Sequence, residues 1–369
     1  ISWYSKYSLP ETDIEVIPYS DCFIFEKQFN QTYGQEITVP VSNISESAFT
    51  NTMVNLTSGF TNKAYIVQDL TQNVVSNQLS TMLKNLGVEV EYLDFGDSEF
   101  SIPSDCELLI LNCIQTDVTE RMALAIDNYL SSGGKVIVTT DFYRTVVNGT
   151  TYNNLNSMVL NQRGLNLDSY MIMESDNKYL NANSNQTYEY TALAAANDVA
   201  TLADSELFYV KLPMGVSKIA TKYDNALQIT SIITTSPMGL RLDLDDTGTP
   251  VPVGNSAQYN LAMMSTTSDP DETSFQLYVF GTSTFTSDDF ISEMGYSHPN
   301  VVLIRNLIKN MLNVENSYDI PSKALANYSV DTTKLNLNSI NALVVILVAV
   351  IPLGLIVTGT IVYTRRKNL

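Results

Sequence analysis

One histidine and three cysteines bound the nucleophilic chemistry open to this 369-residue chain. A Ser-His-Asp or Cys-His relay needs a base beside its nucleophile, so either would have to use His298. His298 stands in Ser297-His298-Pro299-Asn300, ahead of an amphipathic stretch, the setting of a helix-start turn residue. Cys113 ends an apolar strand, where doubly wound sheets place functional groups. Its context, Leu111-Asn112-Cys113-Ile114-Gln115, has no glycine for a tight elbow, and the thiol reads as buried and inert. Cys106 and Cys113 flank ELLILN; as one strand it holds them ~23 Å apart, beyond disulfide reach. That leaves at most one bridge, to Cys22. Asp69, Asp94, Asp117 and Asp141 fall near the carboxyl ends of strands, where four carboxylates could hold a cation. Asp117, however, is spaced as a helix cap, and aspartate is common in turns, so no metal is assigned. Gly133-Gly134-Lys135 lacks the rest of a phosphate loop, and the first strand runs into Gln68-Asp69-Leu70-Thr71 rather than GxGxxG. No cofactor and no catalytic residue is expected.

The elements that would position these residues are clearest over 63–141. Lys63–Val67, Val88–Leu93, Leu108–Leu111 and Lys135–Thr139 read as strands, the third apolar throughout, as in a sheet covered on both faces. Asn73–Leu86 has one apolar face, from Val75 to Leu86, and ends at Gly87. A second helix follows Asp117, whose spacing to Glu120 is that of a capping box, and stops at Gly133-Gly134. Strand-helix-strand alternation implies right-handed crossovers and a parallel sheet. Before it, DIEVIPYS, CFIFEKQF and EITVPV alternate as strands, and Phe49, Met53 and Leu56 have helical spacing. Residues 142–255 mix Asn-rich loops with strands of unclear order. Leu261–Met264 and Gln276–Phe280 are core strands, and Val301–Leu312 is an amphipathic helix.

Ile340–Tyr363 is one apolar run, followed at once by Arg365-Arg366-Lys367. About 20 apolar residues at ~1.5 Å each span a hydrocarbon core of ~30 Å. The basic cluster predicts a cytoplasmic C-terminus and an external domain before it. The formal net charge is −19; with those three cations set aside the remainder carries −22. Such acidity argues against nucleic acid or anionic lipid as a partner. An external domain needs an export signal, and none stands ahead of it, so either a cleaved signal or further membrane helices upstream of Ile1 are expected. Six Asn-x-Ser/Thr sequons carry little weight in an Asn- and Ser-rich chain.

Together, AFTNTMVNLTSGFTNKAYIVQ (48–68), LKNLGVEVEYLDF (83–95), the stretch 102–141, YVFGTSTFTSDDF (278–290) and the terminal apolar run with TRRK resemble the GldG-like family. These are extracytoplasmic auxiliary components of ABC-type transport systems, built on a Rossmann-like GldG/intraflagellar-type sheet. The resemblance implies an α/β fold, Rossmann-like (class I glutamine amidotransferase-like or flavodoxin-like). Its sheet would be mostly parallel, with added β-rich segments and one C-terminal transmembrane helix. It divides the chain into a β-rich segment (1–57), the α/β domain (58–312), a linker (313–339), the span (340–363) and a basic tail (364–369). It implies a non-enzymatic subunit of a bacterial cell membrane, partnered by an ABC permease and, through it, a cytoplasmic ATPase, with an envelope protein or cargo as a further partner. Two family features differ here. A Gly-His-Gly-Glu-like turn is replaced by Asp69-Leu70-Thr71-Gln72, and Gly281-Thr282-Ser283-Thr284-Phe285 lacks the late aspartate. The other readings are a degenerate amidotransferase-like hydrolase using Cys113 or His298, and a C-terminally anchored surface binding or adhesion protein. The candidate partner surface is Asp69, Phe95, Phe142 and Tyr143, at the carboxyl ends of the strands; the aromatics either anchor a partner or pack under neighbouring loops.

Overall fold

The computed structural model describes residues 17, 19–30, 35–58, 62–68, 76–94, 100–142, 152–180, 188–221, 224–245, 249–268, 274–314 and 323–325, with scattered positions between 352 and 365. Residues Ile1–Leu325 form one compact unit and Ala326–Leu369 a second. In the first unit, β1 (Phe23–Asn30) and β2 (Gln35–Asn43) lead to α1 (Ser45–Ser58). An alternating run follows: β3 (Asn62–Gln68), α2 (Asn77–Asn85), β4 (Val88–Asp94), β5 (Leu108–Leu111), α3 (Glu120–Ser131) and β6 (Lys135–Thr139). A long excursion holds β7 (Leu165–Met173), β8 (Glu189–Ala194), β9 (Leu207–Lys211), β10 (Met214–Lys218), β11 (Leu227–Thr234), β12 (Gly239–Leu244), β13 (Pro250–Ala257) and β14 (Asn260–Thr267). β15 (Gln276–Phe280), α4 (Asp288–Met294), α5 (Pro299–Met311) and β16 (Lys323–Ala324) complete it.

The main sheet has nine strands in the order β4-β3-β5-β6-β15-β14-β11-β8-β9. β4 to β15 pair in parallel; from β15 to β9 every pairing is antiparallel. The expected mostly parallel sheet is thus its first half. The join has a simple cause, because β14 reaches β15 through a short connection, too short for a crossover, and must pair antiparallel. Residues 142–255, illegible in sequence, supply seven of the strands, including a second sheet, β10-β7-β12-β13. A third sheet, β1-β2-β16, brings the end of the unit back to its beginning.

Alternation along the parallel strands divides the core between two faces. Ala64, Ile66, Leu108, Ile110 and Ile137 meet Leu79 and Leu83 of α2 and Leu303, Ile304 and Leu307 of α5. Val67, Leu109, Leu111, Val136 and Val138 meet Met122, Ile126 and Leu130 of α3. All four residues of β5 are buried, as its unbroken apolar run requires. The cap of α3 differs from expectation: Thr119 is the N-cap, its hydroxyl accepting from Met122 N at 3.2 Å. Asp117 instead accepts from Asn154 N (2.7 Å) and Leu155 N (3.1 Å), capping the next helical turn and tying it to the start of α3. Of DIEVIPYS only Ile17, Tyr19 and Ser20 are described, the last two in the turn Tyr19–Cys22 and not in a strand, and residues 73–75, the expected start of α2, lie outside the described residues.

Among the described residues no helix is long and apolar enough to cross a membrane. The run 340–363 lies mostly outside them; positions 352–354, 357–359 and 363 are helical, with Leu353, Val357 and Tyr363 exposed. In the first unit, Arg163 is 8% exposed and fastens the excursion to α3. Its guanidinium pairs with the Asp127 carboxylate, donates to Asp127 O at 3.0 Å and Ser131 Oγ at 2.9 Å, and lies over Phe275. Asp127→Ala leaves that charge without its carboxylate and is expected to cost about 2 kcal/mol. Arg163→Met removes charge and demand together and costs less; urea unfolding of the two variants checks the order.

Candidate functional site

The carboxyl ends of β5, β6 and β15 converge on one buried polar cluster, at the edge where open α/β sheets bind ligands. β5 runs out through Asn112 into Cys113, whose φ is +49°. A left-handed non-glycine residue costs on the order of 1–2 kcal/mol, so the surroundings must hold it there. The Cys113 N–H donates to Thr139 Oγ1 at 2.8 Å, and Ile114 N donates to Thr139 O at 3.1 Å. The strand therefore does turn sharply at its cysteine. The sequence shows no glycine for an elbow, and the cysteine itself adopts the conformation that glycine would supply.

The Cys113 thiol is 5% exposed. Against its Sγ lie Asn112 Oδ1 at 3.4 Å, Thr286 Oγ1 at 3.7 Å and Thr139 Oγ1 at 3.9 Å. Thr139 and Thr286 share a hydrogen bond of 2.8 Å, and Asn112 donates to Ser76 Oγ at 2.6 Å. An amide and two hydroxyls take no proton at neutral pH, so none of these neighbours can serve as a base. The cluster continues outward. Thr140 and Tyr152 hydroxyls both reach Ile114 O, at 2.8 and 2.7 Å. Ser283 donates to Asp141 Oδ2 at 2.6 Å, and Thr284 donates to Tyr209 O at 3.0 Å. Gly281 begins the late turn because its backbone abuts Met214; an added Cβ would lie 2.3 Å from Met214 O. Thr139, Thr140, Thr282 and Thr286 are fully buried.

His298 does as its sequence context predicts. It is the N-cap of α5, its Nδ1 accepting from Asn300 N at 3.2 Å, with Pro299 in the first turn. Its ring stands edge-on to Phe290, 5.0 Å between centres, and burial lowers its pKa. The neutral ring is the form that caps. Of the four aspartates considered for a cation, Asp69 lies outside the described residues and Asp94 is exposed at the end of β4. Asp117 and Asp141 are engaged with backbone amides and with Ser283. Among the described residues no group of three or more His, Cys, Asp or Glu side chains is arranged to hold a metal.

The expected partner surface is reached only in part. Asp69, Phe95 and Tyr143 lie outside the described residues. Phe142 is 2% exposed and packs with Met171, Met214 and Leu242 in a small core between the β6 end and the second sheet. For this aromatic the packing alternative holds, not the exposed anchor. The reason is that β7, β10 and β12, unread in sequence, supply the cover. Sequence reasoning also missed an open groove of about 780 Å³ at the opposite edge, between α3 and the loop before β5. Phe100, Cys106, Leu124, Tyr129 and Lys135 are among its lining. Burial pushes the Cys106 thiol pKa up to about 11. No disulfide joins Cys22, Cys106 and Cys113.

This arrangement defines a mixed α/β protein, parallel in the half of the sheet that carries Cys113. No family model matches the chain, and no curated protein matches it. Among solved structures it is similar to the mmIFT52 N-terminal domain, at 13% identity and a TM-score of 0.46, over 70% of this chain and 99% of that one. It is also similar to a glutamine amidotransferase from Thermotoga maritima (8% identity, TM-score 0.37, 68% and 98% covered). A third is PurLQS from Thermotoga maritima (10%, 0.32, 68% and 99%).

Two outcomes follow from this geometry. Phe142→Ala opens a core cavity and is expected to lower stability by about 3 kcal/mol, read by thermal or urea unfolding, where a surface anchor would cost almost nothing. His298 has a folded pKa below its unfolded value, so its contribution is present above about pH 6.5 and is lost as pH falls through the folded pKa. His298→Asn keeps a capping acceptor that does not protonate. Between about pH 7 and pH 5 the variant should lose less stability than the parent chain; equal losses would mean that His298 titrates alike folded and unfolded.

Proposed function

We propose that this chain is a non-catalytic, membrane-anchored extracytoplasmic subunit of an ABC-type transport system, of the GldG-like kind. The observation that carries the non-catalytic part is the edge around Cys113. The residue that could be a nucleophile faces Asn112, Thr139 and Thr286, and the sole histidine is engaged as a helix cap. A sheet end whose hydroxyls bond to one another suits a scaffold that meets a partner better than a vessel for a reaction. Anchoring is supported by the apolar run 340–363 and the basic tail after it, and the transport role by the stretches that resemble the family. In this reading the permease holds the subunit at the membrane, a separate cytoplasmic ATPase supplies the energy, and the external domain engages cargo or an envelope protein.

One observation favours a second reading, a degenerate amidotransferase-like hydrolase: Cys113 is left-handed at the end of a central strand, the posture of a nucleophile on an elbow. That reading requires a base brought to Sγ. Gentle solubilisation of membranes and tagged purification of the full chain should co-isolate a multi-span permease and an ATPase. Cys113→Ser should co-isolate them equally and leave transport near that of the parent. Isolation of the chain without either protein would sink the transport reading, and loss of function with partners retained would favour the hydrolase.

A further inference from the structure

The main sheet ends in two lateral edges, β9 and β4, and the two are finished differently. On β9 the outward peptide groups are taken up by side chains. Ser205 Oγ accepts from Leu207 N at 3.2 Å and donates to Leu207 O at 2.9 Å. The Asn300 amide meets Tyr209 as a neighbouring peptide would, accepting from its N–H at 3.1 Å and donating to its carbonyl at 2.7 Å. Thr284 donates to the same carbonyl at 3.0 Å, and Thr282 to Lys211 O at 3.3 Å. A further strand could add to β9 only by displacing these side chains.

β4 pairs with β3 alone. Among the described residues, no backbone hydrogen bond runs from residues 89–93 to any segment besides β3. A strand bonded on one side turns the N–H and C=O of alternate residues outward, a template for another strand. The side chains of β4 select which strand fits. Glu89 and Glu91 share one face with Lys63 of β3, at 3.5 and 3.7 Å, and remain 44% and 51% exposed. Lys63 also holds Asp105 at 3.2 Å, so one cation stands among three carboxylates and two negative charges are left over. On the opposite face Val88 and Val90 reach the core beneath α2, and Tyr92, next along, is 45% exposed. A second copy of β4 would set glutamates beside glutamates, which disfavours self-pairing.

We propose that the free edge of β4 docks an extended, basic segment of another protein, which joins the main sheet as an added strand. In that segment Lys or Arg stands opposite Glu89 and Glu91, and apolar residues stand opposite Val90 and Tyr92, because directly opposed residues share a face. Peptide hydrogen bonds supply the affinity, and the alternation of basic with apolar side chains supplies the selectivity. This lateral edge is distinct from the strand ends around Cys113, and its use does not depend on the transport reading.

The test uses the full chain in detergent at about 0.15 M salt, where weak surface attraction is screened. The probe is a labelled peptide alternating Lys with Val, followed by fluorescence anisotropy and by hydrogen exchange of the β4 amides. It should bind saturably and slow exchange along β4, and the same peptide with Glu in place of Lys should not. N-methylation along both edges of the basic peptide keeps its charges, removes its strand hydrogen bonds and should weaken binding by about tenfold or more. Glu89→Lys with Glu91→Lys should weaken the basic peptide and admit the acidic one. Absence of saturable binding to the parent chain would overturn the proposal. So would equal binding of the N-methylated peptide, which would leave charge attraction alone, or binding that slows exchange only outside β4. Protection of β4 that grows with protein concentration, with no peptide present, would make a second copy the occupant and overturn it as well.

Discussion

The strands β3, β5, β6 and β15 are covered on both faces, so their peptide groups have only one another to bond. This constraint organises the rest of the unit. It demands unbroken apolar strands, helices on each side, and connections that cross over the sheet. The alternate residues of each strand then feed two separate cores, one beneath α2 and α5 and one beneath α3. Such a sheet leaves its chemistry to the strand ends, where the chain first emerges from between the helices.

At the carboxyl end that opportunity is used for structure. Turning the chain at Cys113 puts a non-glycine residue in the left-handed region, and the hydroxyls of Thr139 and Thr286 stand against it. The neighbouring ends of β6 and β15 add Thr140, Asp141, Ser283 and Thr284, each bonded to an atom of an adjacent segment. A hydrogen-bonded network of this kind, hydroxyls with the Asp141 carboxylate, rigidifies the edge. Posture and chemistry part company at this point: the cysteine has the backbone of a nucleophile and the company of a core residue.

Periodicity made the two-sided strands legible. Leu108–Leu111, Lys135–Thr139 and Gln276–Phe280 stand where their apolar runs end, because double burial leaves no polar residue to blur the limits. His298 was legible from Pro299 after it. The excursion from β7 to β14 was not, since antiparallel strands paired across long gaps leave no local signal of partner or register. That loss extended to Phe142, whose cover comes from β7, β10 and β12. The conformation of Cys113 was hidden for another reason, being imposed by Thr139, which is remote in sequence. Asp117 shows a third kind of error: correct spacing for a cap of α3, and a carboxylate engaged with Asn154 and Leu155 instead.

The central claim is that Cys113 is a held, closed-in thiol. Alkylation of the folded full chain by iodoacetamide at neutral pH, followed residue by residue by mass spectrometry, tests it most directly. A thiol that is 5% exposed, with Asn112, Thr139 and Thr286 against its sulfur, should react far more slowly than the same residue in the denatured chain. Alkylation of Cys113 in the folded chain as fast as, or faster than, in the denatured chain would contradict the account and make the strand end a working active site.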